Sequence, residues 1–465
     1  KYGHLVAGTE LALSPTQLGV LRGSLLDFQQ WVVWGNGMDL SSTGRQLDNP
    51  HAQLSKAAAV GRFAKALPAL DPTRADECQA LAARIAGQTP LPDAQPIGNR
   101  CFWRSDFMVH RPGTFYASIK MSSSRVLPTE TDVNAENLKG YHLSDGVTLV
   151  MVKGNEYADI QPAWDWHRLP GLTFTGGDAT LPIGNAARKT RNMQPFVGGV
   201  SDGQDGLAAM DFQREDVSAR KAWLCGKDVI VCLGAGLKAT GGQPLITSIN
   251  QCLLHGEAQV LKQGQWAPAA DAELSGTAAQ AVWHDQIGYL LPAGGDLRLH
   301  SGPQTGTWSS IQKNGTSKEP VTQNVFSLWL EHGRANDEEK GYVYALLPAH
   351  SAEQTAQAAA APPFTVLANT TAVQAVSLPG EQLCGVVFHA PGAVDIGPGQ
   401  RLAARQACLV LVRFTERGAT LTVSDPTQTL AAVDVSLSGL AEAHVALPTG
   451  RRKGASVSVE VVKGT

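Results

Sequence analysis

From residue 99 onward the chain is written in short β-prone runs broken by turn-forming residues, and that texture leaves few folds open. FYASIKMSSSRV, GVTLVMV, DVIVCLGAGL, QPLITSINQCLL, HDQIGYLLPAG, VFSLWLEHG and GYVYALLPAH follow one another between Gly, Asp, Asn and Pro. Runs of this length cannot bury their apolar sides alone, so they predict large antiparallel sheets stacked face to face. Composition agrees. Gly 48 and Pro 26 in 465 residues supply many turns, and charged residues at 17% fall below the ~25% of an average soluble domain. That balance excludes coiled coil and disorder. An Ala-rich stretch closed by two prolines, residues 351–365, reads as a connector. Beyond it VLANTTAVQAVSL, LCGVVFHA, ACLVLVRFT, TLTVSDP and SVSVEVVKGT predict a final all-β unit over 366–465.

The first 95 residues read differently, as helices. Ser14 followed by Pro15 is an N-terminal signature, and Leu18, Leu21, Leu25, Phe28 and Val32 then recur at helical spacing. A second helix is expected over 51–67 with Leu54, Ala58, Phe63 and Leu67 in one stripe, and a third from Thr73, as its cap, to Ile85. The predicted class is therefore α+β. Helical residues 1–95 precede a central antiparallel β-sandwich over 96–350, the connector, and the C-terminal β unit.

A net charge of −3 gives no global basic field for nucleic acid or an anionic membrane. An acidic substrate must therefore be met by local Arg and Lys. No apolar run approaches the ~18 residues that span a bilayer. The seven cysteines, at 78, 101, 225, 232, 252, 384 and 408, form no C-x-x-C pair and are read as mostly buried, reduced and structural. No zinc-protease, serine-hydrolase or nucleotide-binding fingerprint is present.

Four segments concentrate chemistry. MDLSSTGRQLDNP (38–50) sets Arg45 in a polar loop, where a guanidinium can clamp a carboxylate or sulfate, or simply face solvent. SSSRVLPTETDVNAENLKGYHLSDG (122–146) carries Glu130, Asn134, Glu136 and Asn137, suited to acid–base work, to a metal, or to a solvated turn. WDWHRLPGLT (164–173) offers Trp164 and Trp166 to stack on sugar rings and Arg168 to pair with acids, or forms a packed corner at Pro170 and Gly171. Tyr2, at a terminus, means little alone.

Together these blocks resemble polysaccharide lyase family 8, the hyaluronate, chondroitin and xanthan lyases. STGRQLDN is similar to that family's glycine–arginine loop. FWRSDFMVHRPGTFYASIKMSSSRV with NAENLKGYHLSDG is similar to the entry of its large β-sandwich. DWHRLPGLT, FVGGVSDG and KAWLCGKDVIVCLGAGL continue in the same order. The resemblance implies an incomplete helical toroid followed by β-sheet domains, and β-elimination at a uronate. The substrate implied is an acidic polysaccharide, most commonly hyaluronan or chondroitin, and no cofactor is required; structural calcium is left open. It also implies a secreted or periplasmic bacterial protein.

Carried over residue by residue, the resemblance makes Tyr2 the base and acid, its phenol lowered from about 10 by nearby arginine. Arg45 matches the first arginine of the loop, and Asn49 stands where the family has a second. Glu130 matches the acidic residue of the β-domain, with Glu136 the alternative. Asn134, Asn137, Trp164, Trp166 and Arg168 complete the expected substrate contacts. The family's His and Asn upstream of the Tyr have no counterpart here, and His4 lies on the wrong side of Tyr2. The expectation that follows is a separate or cleaved N-terminal part that supplies them. Two other classes compete: a carbohydrate-binding β protein without activity, and a glycoside hydrolase using Glu130 and Glu136.

Overall fold

A computed structural model describes residues 2–462 except 92, 94, 177–179, 270–271, 275–279, 316 and 335–339; the side chains of Tyr2, His4 and 272–274 also lie outside the description. The α+β class holds, with helices gathered at the N-terminus and antiparallel sheets beyond.

The sheets form successive layers. At the centre, nine strands run in the order Gln265–Pro268, Gln259–Lys262, Ala281–His284, Ile287–Leu290, Lys340–Pro348, Ile230–Ala239, Val217–Cys225, Gly206–Arg214, Val197–Ser201 among the described residues. Alternation explains why both faces of this sheet are buried. In Val217–Cys225, Val217, Ala219, Trp223 and Cys225 enter one core, while Ala222 and Leu224 enter another. The first core is shared with a four-stranded sheet (Gly98–Phe102, Phe107–Arg111, Tyr116–Lys120, Val147–Met151). It is shared also with a five-stranded one that includes Leu245–Leu253 and Val321–Gly333. The second core is shared with six C-terminal strands, whose far face packs on a last four-stranded sheet.

Six helices are described: α1 (Tyr2–Val6), α2 (Pro15–Gly23), α3 (Ala52–Ala66), α4 (Ala75–Ile85), α5 (Gly184–Lys189) and α6 (Ala352–Ala360). Ser14 caps α2 in a capping box with Gln17. The long helix expected through Val32 is broken after Gly23 by a π turn (Ser24–Phe28) and a 3-10 turn (Gln29–Val32), which together sink Leu25, Leu26, Trp31 and Val32. α3 has its expected bounds but a different buried stripe. Ala57, Val60, Gly61 and Ala64 face inward, and Leu54 stays exposed. Close approach of α4 is the reason: a Cβ on Gly61 would sit 3.0 Å from Ile85 Cγ2. Thr73 does not cap α4; Arg74 takes that position at φ +61°.

The expected connector is also revised. Ser351 and Gln354 form a capping box that starts α6, and Thr355 is buried against Gly288. The cysteines are free, six buried and Cys101 half-buried.

Candidate functional site

Two polar loops meet against the four-stranded sheet, the first of them at its inner strand Tyr116–Lys120. The first carries Arg45. Its base is Asp39, whose buried carboxylate accepts from Ser41 N at 2.7 Å and from Tyr116 Oη at 2.5 Å. Burial raises the Asp39 carboxyl, opposed by hydrogen bonds from Ser118, Tyr116 and Ser41. Ser42 Oγ donates to Asp39 O and Thr43 Oγ1 to Leu40 O, and Gly44 turns the chain at φ +65°. Arg45 is thus held by a turn that is riveted to strand Tyr116–Lys120.

The second loop runs from Glu130 to Asn137. Asp132, Asn134, Ala135 and Asn137 all have positive φ between +54° and +60°. Ala135 has no side-chain hydrogen bond to offset that conformation, which costs about 1–2 kcal/mol. The shape is imposed by ties across it. Asn137 Nδ2 donates to Glu130 O at 2.7 Å, Lys313 N to Ala135 O at 3.1 Å, and Asn314 Nδ2 to Asn134 O at 3.0 Å. The chain that follows it is anchored in the core, where Asp145 Oδ2 pairs with Arg214 Nη1 at 2.5 Å and with His142 Nδ1 at 2.8 Å. Backbone strain of this kind, held by surrounding structure, is a mark of functional loops.

The loops join through one guanidinium. Arg45 Nε donates to Glu136 Oε2 and Arg45 Nη1 to Glu130 Oε2, both at 2.6 Å. Hydrogen bonds to Glu136, then Glu130, hold the arginine above its ordinary value. Glu136 is the more enclosed partner, its side chain 19% exposed against 48% for Glu130, which also lies 3.7 Å from Arg188 Nη2. Beneath them buried Asp48 accepts from Asn137 N at 3.1 Å and Asn49 Nδ2 at 3.0 Å. Burial pushes the Asp48 carboxyl up, and the charge of Glu136 adds to that.

Beside this cluster opens a cleft of about 590 Å³. Phe28, Phe107 and Leu127 line it with apolar surface; Ser41, Ser42, Thr43, Ser105 and Thr129 add polar groups, and Arg45, Lys120 and Glu130 add charge. Its size falls within the ~300–1,000 Å³ typical of ligand sites. Burial lowers the Lys120 ammonium to about 8, opposed by Asp106 and Asp39.

The expected residues divide into two groups. Arg45, Glu130, Glu136, Asn49, Asn134 and Asn137 lie on the two joined loops, but Asn137, expected to touch substrate, is wholly buried, with N on Asp48 and Nδ2 on Glu130 O. The tryptophan segment faces a different cleft, which it shares with Leu138 and Lys139 at the end of the second loop. Trp164 and Trp166 are 4% and 3% exposed, packed edge to face at 5.5 Å, their Nε1 atoms donating to Gln251 O and Gln161 O. Sugar stacking needs an open ring face, and here the packed-corner alternative describes the geometry. The indoles reach only the wall of a second cleft of about 470 Å³, which Lys139, His167 and Lys313 also line. Arg168 is paired with Asp165 at 2.8 Å and lies 4.3 Å from the Trp329 ring centroid. Tyr2 begins α1, but its side chain lies outside the described residues.

Asp48 and Lys120 were missed by sequence reasoning. Period-two alternation carried a signal for the lysine: Tyr116, Ser118 and Lys120 share one strand face, the face that meets Asp39. Among the described residues no group of three or more His, Cys, Asp or Glu side chains is placed to hold a metal ion. No described helix is long and apolar enough to cross a membrane.

Comparison with known proteins fits this architecture. Residues 97–359, more than half of the chain, match the model of the polysaccharide lyase family 8 super-sandwich domain, and 365–434 match that family's C-terminal β-sandwich domain. The chain belongs to polysaccharide lyase family 8. Among similar family members, chondroitinase AC of Pedobacter heparinus is 29% identical over 92% of this chain. A hyaluronate lyase of Thermasporomyces composti is 34% identical over 73% of it. The chain spans 60% and 43% of the lengths of these two relatives. A solved chondroitinase AC lyase from complexes with oligosaccharide superposes with a TM-score of 0.91 at 27% identity, covering 98% of this chain and 68% of that one. These family comparisons lend no support to a separate N-terminal partner chain.

Proposed function

We propose that the protein is a polysaccharide lyase that cleaves a uronate-containing polysaccharide by β-elimination, with the polymer lying along the cleft beside Arg45. The observation that carries this reading is the clamp of Arg45 by Glu130 and Glu136 at the mouth of that cleft, in a chain of family 8. Glycosaminoglycans come first as substrates, because the similar proteins include a chondroitinase AC and a hyaluronate lyase.

The chemistry asks for three things. The uronate carboxylate must be bound so that the C5 proton becomes acidic. A base must take that proton while a C4–C5 double bond forms and the C4–O bond breaks. An acid must return a proton to the departing oxygen. We assign the proton transfers to Tyr2, following the family resemblance, and the surroundings of the carboxylate to the Arg45 loop and to Asn134, with buried Asn137 holding the second loop in shape. Glu136 and Glu130 fix the guanidinium, and through Arg45 they set the charge that the sugar meets. The route uses no cofactor. It fits a protein that works outside the cytoplasm, where such polymers occur.

The test is incubation with hyaluronan, chondroitin sulfate and xanthan while following ultraviolet absorbance of the unsaturated uronate. A rise with at least one polymer, lost in Tyr2→Phe, is expected. Binding of polymer without any unsaturated product would favour the carbohydrate-binding alternative. Cleavage without the chromophore would favour hydrolysis.

A further inference from the structure

Arg45 is a satisfied cation, since two carboxylates already answer its single charge. The cleft has one other cationic lining residue, Lys120. It ends strand Tyr116–Lys120, is half-buried, and donates from Nζ to Ser105 O at 2.6 Å. No ion pair of Lys120 occurs among the described residues. The carboxylates that act on it, Asp106 and Asp39, are both buried beneath it, and neither is in an ion pair with it; among the described residues the Asp106 carboxylate oxygens make no hydrogen bond. Asp106 lies 3.5 Å from Arg125 Nη2, and Asp39 accepts from Tyr116 and Ser41. An ammonium has three donors, so this one keeps capacity for a further acceptor.

The rest of the wall suits a sugar. Ser42 and Thr43 direct their protons to backbone carbonyls, which leaves their oxygen lone pairs to accept from sugar hydroxyls. Phe28 and Leu127 offer apolar surface for the C–H face of a ring, while Phe107 is buried with Lys120 Nζ 5.8 Å from its centroid. An anionic substituent would give the half-desolvated ammonium a direct ion pair, which a neutral sugar does not.

We propose that Lys120 is a specificity-determining residue that binds an anionic substituent, a sulfate ester or a uronate carboxylate, on a sugar seated in the cleft beside Arg45. The inference rests on the reading of the substrate as an acidic polysaccharide. At neutral pH Lys120 carries its charge, because burial brings it only to about 8.

Disaccharides in which the uronate bears no C4-linked sugar cannot undergo the elimination, so they report binding alone. Three serve as probes by calorimetry: a 4-sulfated chondroitin disaccharide, a hyaluronan disaccharide, and an unsulfated, carboxyl-reduced analogue. Lys120→Met should weaken at least one anionic probe by about tenfold and leave the neutral one as in the wild type, which also shows that the cleft is folded. Loss confined to the sulfated probe assigns sulfate; loss of both assigns the carboxylate. Lys120→Arg, which keeps the charge, should stay within a few-fold of wild type. Equal binding of all probes by wild type and Lys120→Met overturns the proposal, as does a loss that includes the neutral probe equally. If the wild type forms no unsaturated product yet Lys120→Met loses anion binding, the lyase reading fails and this one stands. If product forms and Lys120→Met binds as wild type does, only this inference fails.

Discussion

The segments 130–137 and 164–168 look alike on paper, each dense in residues that bind sugars, yet the fold treats them in opposite ways. The first is strung across the rim of a cleft with four residues at positive φ and its glutamates on Arg45. The second is folded into the largest core, with both indoles and their Nε1 groups satisfied internally. Aromatic surface is most stabilising when removed from water, so a stacked-sheet fold draws tryptophan inward unless something holds it out. Charged loops cannot follow and are left to carry chemistry.

That contrast can be broken by experiment. Trp166→Ala is expected to destabilise the fold by about 3–5 kcal/mol, read as a lower urea midpoint, with oligosaccharide affinity of the folded fraction unchanged. A loss of affinity at unchanged stability would move Trp166 to the functional side. Arg45→Ala should do the reverse, lowering kcat/KM about 100-fold while the melting temperature holds.

A third measurement probes the buried side through pH. His284 is stacked on Phe326 at 4.5 Å, and burial lowers its imidazole to about 4. Its folded value lies below the unfolded one of 6.5, so the unfolded chain binds the proton more readily. The stability it contributes is complete above the unfolded value and is lost as pH falls from there toward the folded one. Between about pH 7 and pH 5 this histidine alone should account for about 1–2 kcal/mol, and His284→Gln should flatten the pH dependence of the urea midpoint by that amount.

The smallest effects separate the two glutamates. Glu136→Gln, at the enclosed partner, is expected to lower kcat/KM about tenfold. Glu130→Gln, at the exposed one, should lower it only about twofold. Equal losses would show that exposure does not rank the two contacts.

Much of the fold was legible because its signals are local. The β texture, the start of α2 at Ser14 and the bounds of α3 all follow from short-range pattern. The inward stripe of α3 was not, because large residues normally mark the core face, whereas here small ones admit α4. The stretch 351–365 reads as a loose connector by its alanine and proline content, yet Ser351 and Gln354 have the spacing of a capping box, and the helix they start packs through Thr355 on Gly288.

At the candidate site, Arg45, Glu130 and Glu136 stand out in sequence by residue type and by family resemblance. That both glutamates reach the same guanidinium, 91 and 85 residues away along the chain, is a tertiary fact. So is the burial of Asp48 under Asn137, and so is the place of Lys120 at a cleft that two distant loops enclose. The sequence by itself determined the α+β class, the stacked antiparallel sheets and the family, since these rest on periodicity, turn chemistry and ordered blocks. Tertiary structure decided which polar residues share a site and which aromatic ones are withdrawn from it. Periodicity assigns a residue to a face, but only packing brings two faces together and determines what water reaches.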